Sequence, residues 1–142
     1  NPMTKACLNS RADFNANGPQ PPLPYEDNAF DFVYLISVFT HMGAPLQKQW
    51  MVELRRITRP GGYIHFTTHG DRFLSFFDME QQRRFEADEV VVIEKDAEGT
   101  NHFGSFQSRK NVEKHLLDGL ELVSFMRGPE ELKQDTFLVK KL

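Results

Sequence analysis

The stretch from Phe30 to Thr68 restricts this chain to very few folds. Phe30-Asp31-Phe32-Val33-Tyr34-Leu35-Ile36-Ser37-Val38-Phe39 is almost continuously apolar and rich in aromatic and β-branched residues, the pattern of a strand buried on both faces. Pro45 then suits the first turn of a helix, where its missing N–H costs nothing, and Leu46, Trp50, Leu54 and Ile57 recur at helical spacing. The opposite helix face carries Lys48, Glu53, Arg55 and Arg56; with Arg59, the arginines read as a solvated helix end favoured by the macrodipole. Arg59-Pro60-Gly61-Gly62 breaks the helix and reverses the chain, and Tyr63 to Thr68 follows as a second strand. Strand, amphipathic helix, tight turn and strand make a βαβ unit, which predicts parallel neighbours and an α/β fold with a mostly parallel sheet.

The flanks are less regular. Asn1 to Arg11 reads as the end of a helix that Pro2 limits, and Ala12 to Ala16 as a short strand. Asn17-Gly18-Pro19-Gln20-Pro21-Pro22-Leu23-Pro24 fixes or inverts the backbone and donates poorly to a ladder, so it is a surface loop. Residues 71–89 mix phenylalanines with charges and read as a lid or insertion over one end of the sheet. Val90 to Glu94 predicts a short strand, Lys95 to Asn101 a polar turn, and Asn111 to Asp118 a helix stopped by Gly119. Leu120 to Met126 and Thr136 to Lys141, joined through Gly128-Pro129, predict a closing antiparallel hairpin. No repeat divides the 142 residues, which are expected to form a single domain.

Charge and cysteine content narrow the partners. Seventeen basic against 20 acidic residues leave a formal charge of −3, so no cationic field holds nucleic acid or an anionic membrane. No apolar run reaches the roughly 20 residues of a membrane span, and the lone Cys7 has no internal disulfide partner and reads as a small core residue; a cytoplasmic protein is expected. The first residue is Asn1 rather than methionine, which leads us to expect further residues before it.

Three stretches together resemble the class I S-adenosylmethionine-dependent methyltransferases: Pro21 to Tyr34, Ser37-Val38-Phe39-Thr40-His41, and Glu53 to Tyr63 with its Arg-Pro-Gly-Gly. Thr67-Thr68-His69-Gly70 extends the likeness. The resemblance implies a Rossmann-like fold, with the two strands above as the fourth and fifth of seven and the last one antiparallel. It also implies that the chain is the C-terminal part of a domain truncated at its N-terminus. The family's acidic, glycine-rich cofactor loop and its ribose-binding acid have no counterpart here, and Met3 falls just past that acid, at the cofactor. The corresponding sheet edge would then be free and would invite self-association.

The resemblance implies that S-adenosylmethionine lies along Asn17 and Gly18 after the third strand and Ser37 and Val38 after the fourth. Ligands of open α/β sheets do sit beyond the carboxyl ends of the strands. Asn17-Gly18 is equally well read as a plain turn. Methyl transfer from a sulfonium needs alignment, exclusion of water and one base when the acceptor carries a proton. His41 and His69, each after a strand, are the candidate catalytic bases, and each also reads as a helix or turn cap. His65 and His69 on an extended strand do not converge, so no metal site is expected. Trp50 and the phenylalanines of 71–89 suit either core packing or stacking on a small-molecule or glycan-like acceptor. Two functional readings follow: methyl transfer by the complete domain, with this chain alone inactive, or a non-catalytic module that self-associates. A different nucleotide-binding enzyme is disfavoured, because no phosphate-binding glycine loop is present.

Overall fold

The computed structural model describes residues 12–142; the helix expected over Asn1–Arg11, with Met3 and Cys7, lies outside that range. Among the described residues six strands form one sheet: β1 (Phe30–Leu35), β2 (Thr58–His69), β3 (Val91–Ile93), β4 (Gly104–Phe106), β5 (Leu120–Met126) and β6 (Gln134–Lys141). Three α-helices of the same residues accompany them: α1 (Ala44–Ile57), α2 (Met79–Glu86) and α3 (Arg109–His115). The βαβ unit is present, since β1 and β2 pair in parallel on either side of α1. The breaker cluster sits inside the β2 ladder: Phe30 faces Thr58 and Phe32 faces Tyr63, so residues 59–62 bulge out, with Gly61 at a φ of 76°.

β2 organises the sheet. His69 pairs with Gln134 of β6 and with Phe106 of β4, and residues 63–66 pair with both β6 and β1. β6 therefore takes one flank, and β1 and β4 share the other. The mostly parallel sheet expected from the βαβ unit is not what forms. The pairs β2·β6, β3·β4 and β5·β6 are antiparallel against two parallel pairs, because the closing hairpin docks on β2 through β6. Leu120–Met126 is the strand expected, β6 starts earlier than expected, and α3 lies a turn earlier than its predicted span. The strand expected at Ala12 to Ala16 is not formed among the described residues.

One face of the sheet holds the main core. Trp50, Leu54 and Ile57 of α1 pack on Ile64 and Phe66 of β2, Val112 of α3, and Phe137 and Val139 of β6. The other face is open at β1 among the described residues: Phe32 is 53% exposed and Tyr34 67%, so β1 is buried on one face only, not on two as its apolar run predicts. A second, smaller core forms where Phe77 and Phe85 of the 71–89 segment pack on Val91 and Phe106. The segment folds as a 3-10 turn and α2, whose start is fixed by a reciprocal cap between Asp78 and Gln81. No helix of the described residues is long and apolar enough to cross a membrane.

Glu53 departs from the polar face assigned to it. Its buried carboxylate accepts the Leu23 N–H at 2.7 Å and both arms of Arg56 at 2.7 and 2.8 Å, and Arg56 also reaches Asp27 at 2.7 Å. Trp50 Nε1 donates to the Pro19 carbonyl at 3.0 Å, so the proline loop is pinned to α1 at two points. Arg55 pairs with Asp118 and Arg59 with Asp31, so the arginines form ion pairs rather than a free solvated end. Glu53→Ala removes one partner of a largely buried pair and leaves the Leu23 N–H unsatisfied. We expect it to cost about 3 kcal/mol in urea unfolding, with Glu53→Gln costing less; a loss under about 1 kcal/mol would contradict the pinning role.

Candidate functional site

β1 and β2 end at the same edge, and the chain leaves β1 through Ser37 at a φ of 56°, a left-handed conformation that non-glycine residues adopt at a cost. It enters a 3-10 turn, Phe39–His41, anchored by the fully buried Phe39 ring 5.5 Å from Phe66. Gln47 of α1 reinforces the turn, donating to the Phe39 and Met42 carbonyls at 3.0 and 2.9 Å. Its amide continues through Gln107 to Asn111 as a buried chain of hydrogen bonds.

His41 is clamped by the segment before β4. Its Nδ1 lies 3.1 Å from the Phe103 carbonyl oxygen, and a carbonyl only accepts, so Nδ1 carries the proton and Nε2 of the neutral ring is an acceptor. The His41 carbonyl takes the Gly99 N–H at 2.8 Å, and Glu98 Oε1 takes the Gly43 N–H at 2.6 Å at the start of α1.

His69, the last residue of β2, is packed differently. Its ring lies 4.6 Å from Phe73 and 5.0 Å from Phe106, and its Nδ1 is buried without a partner among the described residues, as are Thr40 Oγ1 and Thr68 Oγ1. Burial first, and the nearby His41 second, push the His69 imidazole down to about 4, against a smaller opposing contribution from the Ser105 backbone. His65 is four residues back on the same strand, about 13 Å away along an extended chain, so the two histidines do not converge.

Of the residues expected at the cofactor, Asn17 and Val38 line one cavity of about 390 Å³, walled by Tyr34, Leu35, Met42 and Trp50. Gly18 and Ser37 stand outside it, and Met3 lies outside the described residues. The cavity walls are mainly apolar, which suits an apolar group better than a charged one. Two carboxylates near the strand ends are already engaged: Asp135 accepts the Gly128 N–H at 2.8 Å, and Asp71 holds Arg127 at 2.7 Å. Thr67, Gln134, Glu98 and the Phe103 carbonyl, which organise this rim, are 30 to 97 residues from the groups they contact and leave no local signal in the sequence.

The model of the methyltransferase domain family matches residues 4–66. An uncharacterized methyltransferase of Schizosaccharomyces pombe is 45% identical over 42 residues, 30% of this chain and 14% of that protein, so the chain spans only a small part of this relative's length. A Methanosarcina mazei S-adenosylmethionine-dependent methyltransferase superposes with a TM-score of 0.67 at 17% identity, over 93% of this chain and 68% of that one. A Pyrococcus horikoshii protein superposes with a TM-score of 0.71 at 16% identity, over 99% and 65%. At these identities, the structural likeness speaks to the fold.

Proposed function

We propose that the chain is part of a class I S-adenosylmethionine-dependent methyltransferase, as the methyltransferase-domain match over residues 4–66 supports, and that the complete domain transfers a methyl group to a small-molecule or glycan-like acceptor. The observation that carries the reading is the meeting, at the carboxyl ends of the parallel strands β1 and β2, of the Ser37-Val38 exit with His41 and His69. A bound donor would supply a methyl carbon on a sulfonium, whose carbon–sulfur bond breaks to leave a neutral thioether. Ser37 and Val38 would hold that donor from one side, and His41 Nε2 would take the proton that an acceptor hydroxyl or amine gives up. His69, neutral at pH 7 and a weak base, orders the rim by packing on Phe73 and Phe106. Residues 71–89, anchored on β4 through Phe106, act as a lid that helps choose the acceptor.

The 142-residue chain alone is inactive in this reading, because its sequence offers no glycine-rich loop to approach the donor closely and the nearby Asp71 and Asp135 carboxylates are already engaged. Titration with S-adenosylhomocysteine tests this, and tight binding by the chain would refute it. The bare face of β1 favours a second reading, a module that self-associates through this edge. Sedimentation should then show dimers or larger species at micromolar concentration; a monodisperse monomer would remove that reading.

A further inference from the structure

Ser37 holds a left-handed turn although it is not glycine, and three hydrogen bonds account for it. The Ser37 N–H donates to Thr67 Oγ1 at 2.9 Å, the Thr67 hydroxyl donates to Gln134 Oε1 at 2.7 Å, and Gln134 Nε2 donates to Ser37 Oγ at 2.6 Å. The bonds close a ring across the ends of β1, β2 and β6, which no single element could form. Thr67 is buried in β2, and Gln134 faces His69 across the β2·β6 ladder.

Donor accounting gives the ring a direction. Thr67 Oγ1 accepts the Ser37 N–H and gives its own hydrogen to Gln134 Oε1, with Gln134 Nε2 toward Ser37; the flipped amide would leave the Thr67 hydrogen with no acceptor in the ring. Ser37 Oγ is therefore used as an acceptor, and among the described residues no group takes its hydrogen. We infer that Thr67 and Gln134 are positioning residues that lock the Ser37 turn and leave the Ser37 hydroxyl hydrogen free for an acceptor oxygen of the ligand at the strand ends. Only the identity of that ligand rests on the methyl-transfer reading; the ring itself does not.

Four forms of the 142-residue chain test this by amide hydrogen exchange and NMR titration: the parent, Thr67→Val, Thr67→Ser and Gln134→Glu. Thr67→Val keeps the β-branched shape and deletes the acceptor, so the Ser37 amide should exchange more than tenfold faster, while Thr67→Ser restores parental protection. Equal protection in Thr67→Val and the parent would overturn the lock, and Thr67→Ser keeps the test open if the valine variant does not fold. Gln134→Glu presents only acceptors, so it takes the Ser37 hydrogen for itself and reverses that one bond, while Thr67 still donates to position 134 and the Ser37 amide stays protected. With S-adenosylhomocysteine at millimolar concentration as the probe, the parent and Thr67→Ser should show a Ser37 shift that Gln134→Glu lacks. A shift retained in Gln134→Glu would overturn the polarity assigned to Ser37. A parent with protected Ser37 but no shift would reject the ligand assignment and leave the lock established.

Discussion

His69 should titrate near pH 4, and the fold should lose stability as the pH falls from about 6.5 toward that value. Its ring lies against Phe73 and Phe106 with Nδ1 buried and unpaired among the described residues, so a proton there finds no compensating partner in them, and the charge of a protonated His41 opposes it further. The folded-state value lies below the ordinary 6.5, so between about 4 and 6.5 the unfolded chain binds more protons than the folded one. Stability therefore rises with pH across that window, and the full difference of 6.5 against about 4 amounts to about 3 kcal/mol. Glu53 acts in the same direction but lower: Arg56 holds its carboxyl below the usual 4.5, so its contribution is lost only as the pH falls beneath that value. Asp135 acts the other way, since burial raises its carboxyl and protonation relieves it. His69→Phe keeps an aromatic ring in the stack and removes the proton. Urea unfolding at pH 7 and pH 4.5 should show a loss in the parent that shrinks to the remaining carboxylate contributions in His69→Phe. An unchanged loss in His69→Phe, or an NMR titration of His69 at the ordinary value, would sink this account.

Gly70→Ala should be among the most damaging single substitutions in the chain. A Cβ at Gly70 would stand 1.9 Å from Asp135 Oδ2 and 2.6 Å from its Cγ, far inside contact distance. Asp135 cannot swing aside freely, because it is buried and its Oδ1 accepts the Gly128 N–H. Gly128 has no slack either, since a Cβ there would meet the Gln134 backbone nitrogen at 2.6 Å. Overpacking of this kind costs about 3 kcal/mol, which for a chain of this size lowers the thermal midpoint by roughly 10 °C. The clash is specific, so a double-mutant cycle resolves it. Asp135→Ala alone should cost about 1–3 kcal/mol by orphaning the Gly128 N–H, and Gly70→Ala should then add little on that background. Additive losses would place the cost of Gly70→Ala elsewhere.

The parts of the fold that could be read from the sequence are those written locally. Trp50, Leu54 and Ile57 mark the core face of α1 at helical spacing, Arg59 to Gly62 mark the break, and the alternating run from Leu120 marks β5. Short or paired features could not be read this way. β4 is three residues long and meets β2 at a single pair, too little for a periodic signal, and the antiparallel docking of β6 on β2 joins segments about 70 residues apart. An apolar run such as Phe30–Leu35 looks alike whether one face or both are covered, and Glu53 on a helix gives no hint that Leu23 and Arg56 draw it inward. The site divides in the same way. Ser37, Val38, His41 and His69 follow strands and are visible, whereas the Phe103 carbonyl that sets the His41 tautomer and the Gln134 amide that braces Ser37 arrive from distant strands.

In the function proposed above, this chain would carry one wall of a methyltransferase site, able to orient a donor but not to hold it. Calorimetric titration of the 142-residue chain with S-adenosylhomocysteine addresses it directly. The account predicts no saturable heat for affinities tighter than about 100 μM, that is, about −5.5 kcal/mol of binding free energy. A saturable isotherm in the low micromolar range would contradict it, since Ser37, Val38 and their neighbours would then suffice to hold the cofactor.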